Sequence, residues 1–198
     1  MDYVWGSNTI TQFEPGFGLL FEWDGEHPAA EDDTTLRIRK GERVDPGALP
    51  VRCVLSGTGK RARVPDFFFL NYYILSESMA RIFREFDLGH GYLHPLQLMD
   101  RDGTTVLGTY YILVAGNVKS ALVPEKSENL KKDAISRLKL PVIPKNDALV
   151  MSRDALEGPD VWHHQPFLKG LFLSDRLVRT LKSQKCDRLF HLYRIRIE

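Results

Sequence analysis

Residues 74–86 read ILSESMARIFREF and residues 172–184 read FLSDRLVRTLKSQ, so one pattern occurs twice, 98 residues apart. Each copy begins with a short apolar run, continues with Leu-Ser-acid and then shows the spacing of an amphipathic helix. Each is followed by an apolar run that contains histidine, LHPLQL after the first copy and FHLYRIRI after the second. Because a repeat reflects how a chain is organised, we predict a strand–cap–helix–strand unit that is used twice.

Ser76 and Ser174 stand where the two predicted helices begin. A serine hydroxyl can accept a hydrogen bond from one of the first unpaired helical N–H groups, and an acidic residue just after it meets the positive end of the helix. A catalytic nucleophile is the alternative role, but neither serine lies in a Gly-x-Ser-x-Gly elbow. We therefore predict two structural caps. The apolar faces behind them are Met79, Ile82, Phe83 and Phe86 in the first copy, and Leu177, Val178 and Leu181 in the second.

Length and composition are those of a soluble globular protein. The chain has 198 residues, 43% hydrophobic and 27% charged, with a net charge of +1. We predict a single domain over 1–198, with a division into 1–117 and 148–198 as the alternative. The near-neutral charge gives no reason to expect nucleic acid or an anionic membrane as the main partner. Two cysteines cannot make a disulfide framework, so we expect reduced thiols.

The start of the chain, MDYVWGSNTITQF, carries an acid at Asp2 and has no basic region before an apolar core. We therefore expect no secretory signal in this segment. No apolar run approaches the roughly 20 residues that a membrane span requires. We expect a cytoplasmic protein.

Several further segments show strand patterns. TTLRIRK at 34–40 alternates apolar and charged residues, which predicts a half-buried strand. PDFFFLNYYIL at 65–75 predicts extended structure through a core. The turn DRDG at 100–103 predicts a hairpin between LHPLQLM and TTVLGTYYILVAG. Other strands are predicted at 17–23, 51–55, 148–151 and 192–198.

The region between the two copies is less regular. SENLKKDAISRL at 127–138 predicts a surface helix or a loop, and DALEGPDVWHHQP at 154–166 predicts a loop. The complete pattern predicts the α+β class, with an antiparallel or mixed sheet and few helices.

The segment at 24–33 is rich in acidic residues and contains no lysine or arginine. It is interpreted either as a solvated loop or as a docking surface for a basic partner. The basic residues that follow it, Arg37, Arg39 and Arg43, are the rival surface for an acidic partner. The candidate partner-binding residues are Asp24, Glu26, Glu31, Asp32 and Asp33.

The six histidines and two cysteines form no recognised catalytic or metal-binding motif. His90 and His94 have helical spacing, but glycines and a proline surround them. Cys186 follows a helix end, where the dipole raises a thiol pKa, so pairing with His164 or His191 is disfavoured. Gly57–Lys60 lacks the length of a phosphate-binding loop. We predict no metal, no cofactor and no catalytic activity.

The chain resembles the bacterial polymorphic-toxin immunity family numbered eleven. The resemblance lies in the Pro-Asp, strand and Leu-Ser-Glu helix start at 65–86, in the hairpin at 93–118, and in GLFLSDRLVRTLKSQKCDRLFHLYRI at 170–195. It covers roughly half the chain. The chain departs from the family at CDRLFHLYRI, which replaces the usual Gly-Leu/Val-x-Phe ending.

This resemblance implies an antitoxin encoded beside a secreted toxin, which protects the producing cell by binding that toxin. The family supplies no catalytic residues to transfer onto this sequence. The alternatives are an adaptor or chaperone for a secreted effector, and a small enzyme that depends on histidine and cysteine.

Overall fold

The computed structural model describes residues 3–8, 18–25, 31–57, 64–132, 138–139, 144–164 and 170–198, with the backbone alone at 31–33, 131–132 and 138–139. Within these ranges the α-helices are α1 (Glu31–Arg39), α2 (Glu77–Phe83) and α3 (Asp175–Ser183). Short 3₁₀ helices lie at Pro46–Ala48, Pro124–Lys126, Arg153–Leu156 and Asp187–Phe190. The strands are β1 (Val4–Ser7), β2 (Gly18–Glu22), β3 (Arg52–Ser56), β4 (Phe67–Leu70), β5 (Tyr72–Ser76), β6 (Tyr92–Met99), β7 (Val106–Val114), β8 (Lys131–Lys132), β9 (Leu138–Lys139), β10 (Val150–Met151), β11 (Val161–Trp162), β12 (Leu171–Ser174) and β13 (Leu192–Ile197).

Two mixed sheets contain most of the strands. One has the order β2-β3-β6-β7-β5-β4, and the other has the order β10-β13-β1-β12-β11. β8 and β9 form a separate short ribbon. With few helices and two mixed sheets, the α+β prediction is confirmed.

The two sheets repeat one arrangement of strands. β3 is parallel to β6, and the pairs β6–β7, β7–β5 and β5–β4 are antiparallel. In the same order, β10 is parallel to β13, and the pairs β13–β1, β1–β12 and β12–β11 are antiparallel. We call β3–β7 with α2 the first module, and β10–β13 with α3 and β1 the second module.

The predicted strand–cap–helix–strand unit is confirmed in both modules as β5–α2–β6 and β12–α3–β13. In each module the two strands of the unit are parallel but not adjacent, because a third strand pairs with both. That middle strand is β7 in the first module and the N-terminal β1 in the second. The first and last described strands, β1 and β13, therefore pair within one sheet.

The two modules share one hydrophobic core. Alternate residues of each strand face opposite sides, so Leu75 and Leu173 face this shared core while Ile74 and Phe172 face separate clusters. The apolar faces of α2 and α3 close the shared core. Across it, the ring of Phe67 stacks on Phe190 at a centroid distance of 3.9 Å. The single-domain prediction and its alternative division stay predictions.

The strand predicted at 34–40 is wrong, because these residues belong to α1 and the turn that ends it. Thr34, Thr35 and Ile38 are buried, a spacing that lies on one side of a helix. The acidic residues before them occupy the first helical turn, where negative charge is favourable. The alternation of Leu36 and Ile38 with arginine was a misleading signal.

The extended segment predicted at 65–75 is a hairpin. β4 and β5 pair in antiparallel register, with Leu70 opposite Tyr72. The chain reverses at Asn71, whose φ of +57° lies in the left-handed region that asparagine tolerates better than most residues. Sequence hydrophobicity predicted the burial here but not the reversal.

Two predictions in the less regular regions hold only in part, because 127–130 and 157–160 have neither helix nor strand but short strands lie beside them. The surface helix or loop predicted at 127–138 contains β8 and the first residue of β9, although 133–137 lie outside the described residues. The loop predicted at 154–166 contains β11, which pairs with β12. Two-residue strands such as these depend on a partner strand, which local sequence does not specify.

The remaining strand predictions are confirmed. β6 and β7 form the expected hairpin around the turn at 100–105. β2, β3, β10 and β13 overlap the other predicted strands. None of the helices in the described part of the chain has the length and apolar character that a bilayer crossing needs.

Candidate partner-binding site

Ser76 and Ser174 are the N-caps of α2 and α3. Each hydroxyl oxygen accepts a hydrogen bond at 3.3 Å, from the N–H of Met79 in the first module and of Leu177 in the second. Both serines therefore satisfy a backbone donor that the start of a helix leaves unpaired.

The backbone of each capping serine is hydrogen-bonded to an aspartate. The carbonyl oxygen of Asp66 accepts the N–H of Ser76 at 2.8 Å, and that of Asp160 accepts the N–H of Ser174 at 2.9 Å. Both aspartates follow a proline, at 65–66 and at 159–160. This Pro-Asp pair extends the sequence repeat beyond the Leu-Ser-acid motif. It is the sequence signal by which Asp160, which the sequence analysis did not single out, could have been found.

Asp160 joins the two modules through its side chain. It is 1% exposed, and its carboxylate accepts the hydroxyl of Ser174 and, at 2.8 Å, the N–H of Asp87. Arg176 donates to it twice, from Nε at 2.5 Å and Nη2 at 2.6 Å. These bonds raise the pKa of Arg176 above its ordinary value. Asp160 therefore holds Arg176 in a fixed orientation at the start of α3.

In the second module the middle strand supports α3 through Trp5. Its indole N–H donates to the Asp175 carboxylate at 2.9 Å, and the Nζ of Lys182 lies 3.7 Å from the ring centroid. Trp5 pairs in register with Leu173, the residue before the cap. One aromatic side chain thus contacts both the first and the last turn of the helix.

The first module has the same arrangement around Tyr111, which pairs with Leu75. Arg84 lies over the Tyr111 ring at 4.6 Å from its centroid. Hydrogen bonds from Tyr111 and then from Arg84 lower the pKa of Glu77 to about 2. The two modules therefore match in side-chain chemistry as well as in strand order.

A cavity of about 530 Å³ opens beside Arg176. It lies between β1, the 155–160 segment and the start of α3. Its lining includes apolar Val4, Ala155 and Leu156 together with the polar groups of the cap. The arrangement places an oriented guanidinium at the edge of a partly apolar recess.

The predicted acidic segment does not form one loop. Asp24 is exposed in the bend after β2, whereas Glu31, Asp32 and Asp33 form the first turn of α1. The interpretation as a loop is therefore wrong at 31–33, because an acidic first turn stabilises a helix start. Glu26 lies outside the described residues. A role of these five residues in binding stays a prediction.

The rival basic surface lies at the other end of α1. Arg37 donates to Glu42 at 3.1 Å and to the carbonyl oxygen of Arg43 at 3.2 Å. Arg39 lies over the ring of Phe69, 5.6 Å from its centroid. Residues 31–33 thus lie at one end of α1 and Arg37 and Arg39 at the other, while Arg43 lies beyond the helix.

His163 and His164 are buried and hydrogen-bonded to backbone. Each Nδ1 lies near a carbonyl oxygen, 2.9 Å from Gly170 and 2.6 Å from Lys119, so each Nδ1 carries a proton. Burial lowers the pKa of His163 to about 4 and lowers the pKa of His164. These contacts are typical of structural histidines.

Cys186 donates its thiol hydrogen to the carbonyl oxygen of Leu181 at 3.3 Å. Its pKa is raised, as predicted, but burial is the leading cause rather than the helix end. Cys53 is also a free thiol, and burial raises its pKa to about 12. In the part of the chain that the structure describes, no group of three or more histidine, cysteine, aspartate or glutamate residues is placed to hold a metal ion.

Comparison with known proteins supports the resemblance seen in the sequence. The family model for the immunity protein family (Imm11) matches residues 12–190 of this sequence. A search of curated proteins found no match. The family match extends across α2, α3 and both Pro-Asp pairs, and covers most of the chain. On this evidence the chain belongs to the immunity protein family Imm11.

Proposed function

We propose that this protein binds and neutralises a cognate secreted toxin in the cytoplasm of the cell that makes both. The observation that carries the proposal is the family match over residues 12–190. An immunity protein acts by binding its toxin, so its function depends on a stable surface rather than on a reactive centre.

The environments of His163, His164 and Cys186 do not favour catalysis, which supports a binding role. The histidines at 163 and 164 are bonded to carbonyl oxygens, and the thiol of Cys186 has a raised pKa. A nucleophilic cysteine needs the opposite shift, since the thiolate is the reactive form. We therefore propose that the protein has no catalytic activity of its own.

The proposal is tested by co-expressing the chain with the toxin domain encoded by the neighbouring gene. We expect growth to be restored and the two proteins to purify together. A toxin from an unrelated locus is the specificity control, and it should remain toxic.

Two other outcomes contradict the proposal. Continued toxicity, with no co-purification, excludes neutralisation. Increased toxin secretion without protection of the producing cell identifies a chaperone instead.

A further inference from the structure

The exposed side of α3 carries three cationic side chains, and each of them contacts an acidic or aromatic side chain of the protein. Arg176 is bonded to buried Asp160, and Arg179 contacts Asp175 at 2.6 Å. Lys182 lies over the ring of Trp5. The side chains of Arg176 and Arg179 remain 64% and 74% exposed, so their outer edges are open to a partner.

The carboxylates behind these cations are much less accessible. The side chain of Asp160 is 1% exposed and that of Asp175 is 20% exposed. An approaching protein therefore meets the arginine groups before the acids that orient them. The surface presents positive charge although each arginine is paired.

The first module shows that helix capping does not require an arginine at the position of Arg176. The position equivalent to Arg176 is Ser78, whose hydroxyl lies 2.8 Å from that of Ser76. Arg81 and Arg84 occupy the next two equivalent positions, and both contact Glu77. The repeated fold is thus complete with a small neutral side chain where the second module has an arginine.

The cavity beside Arg176 makes α3 more than a charged helix. Its volume of about 530 Å³ is large enough for several side-chain atoms, and Tyr3 and Leu156 line it together with Arg176. Arginine anchors beside recesses of this kind are typical of binding hot spots. Because Asp160 already orders Arg176, binding would immobilise little additional side chain.

Resting on the proposed function, we propose that α3 docks an acidic segment of the toxin, whose carboxylates contact Arg176, Arg179 and Lys182 while an adjacent apolar side chain enters the cavity. Arg176 forms the anchor, since Asp160 leaves one edge of its guanidinium free for a second carboxylate. Arg179 and Lys182 steer the acidic segment towards it.

The test measures binding of the purified chain to the toxin domain encoded by the neighbouring gene, at low and at physiological salt. The test variant is Arg179→Gln with Lys182→Gln, which leaves Asp160 and Arg176 intact. The matched control is Arg81→Gln with Arg84→Gln, the same charge change at the equivalent positions of α2. Thermal unfolding of each variant verifies that it is folded.

We expect the α3 pair to weaken binding about tenfold, mainly through slower association and with a smaller salt dependence. The α2 pair should stay within about twofold of wild type. Arg176→Ser, which copies the first module, should accelerate dissociation.

The inference is overturned if wild type binds the toxin and the α3 and α2 double variants bind it with the same affinity. It is also overturned if only Lys substitution of Glu31, Asp32 and Asp33 weakens binding, because the acidic segment would then be the docking surface. Either result leaves the proposed function intact. If wild type neither binds the toxin nor protects cells, the proposed function and this inference fail together.

Discussion

Ser174 and Asp160 are joined by two hydrogen bonds, one from backbone to backbone and one from hydroxyl to carboxylate. The same hydroxyl caps α3 through the N–H of Leu177. In the first module Ser76 keeps the cap and the backbone bond, but its hydroxyl contacts Ser78 instead of a buried carboxylate. The two caps therefore have the same geometry, but the cap of α3 also bonds a buried carboxylate.

Ser174→Ala should be more destabilising than Ser76→Ala. Loss of a cap costs about 1 kcal/mol at either site. Ser174→Ala also removes a donor from a buried carboxylate, so we expect about 2 kcal/mol in total. Urea denaturation of both variants measures the difference, and equal losses would show that the Asp160 contact contributes nothing.

Asp160 and Arg176 should be coupled in a double-mutant cycle. Arg176→Gln leaves a buried carboxylate with fewer donors and should cost about 2 kcal/mol. Asp160→Asn removes the negative charge with which Arg176 pairs. The double variant should therefore lose less unfolding free energy than the sum of the single losses, by about 1 kcal/mol or more. Additive losses in urea denaturation would contradict this coupling.

Gly6→Ala should test the place of β1 in the second module. A Cβ atom at Gly6 would lie 2.0 Å from Cζ of Tyr193, its register partner on β13. We expect a loss of about 3 kcal/mol, because the buried Tyr193 ring has little room to move. In a Tyr193→Ala background the same change should cost much less. If the cost is unchanged there, the Tyr193 ring is not the cause.

His163 should make the protein less stable in mild acid. Burial lowers its pKa from 6.5 to about 4, so the unfolded chain binds more protons between these values. The stability contributed by neutral His163 is complete above pH 6.5 and is lost as pH falls towards 4, with a slope of up to about 1.4 kcal/mol per pH unit. Urea denaturation at pH 7 and pH 5 measures the loss.

His163→Gln is the control for this pH dependence. It removes one titrating group, while the lowered pKa values of His94 and His164 continue to contribute. The variant should therefore lose less stability between pH 7 and pH 5 than wild type. An identical pH dependence would show that His163 does not titrate in this window.

Local patterns were reliable where one residue type and its immediate neighbours decide the structure. The caps, the hairpin around 100–105 and the apolar faces of α2 and α3 are of this kind, except that Phe86 lies in the turn beyond the end of α2. They failed at 34–40, where apolar alternation suggested a strand although the buried threonines and Ile38 lie on one side of a helix.

Asp160 illustrates why the candidate site was harder to predict. In the sequence it belongs to a segment without clear periodicity, and its partners lie 14 and 16 residues ahead and 73 residues behind along the chain. A buried carboxylate is stable only when such donors surround it. That condition can be recognised only after the strands have brought the donors together.

The sequence by itself determined the repeated strand–cap–helix–strand units, because serine capping and helical apolar spacing are local properties. It also carried the family resemblance. Only the tertiary structure decided that both units belong to matching five-stranded modules and that β1 completes the second one. The physical reason is that strand pairing and charge burial depend on contacts between distant residues, which no local pattern specifies.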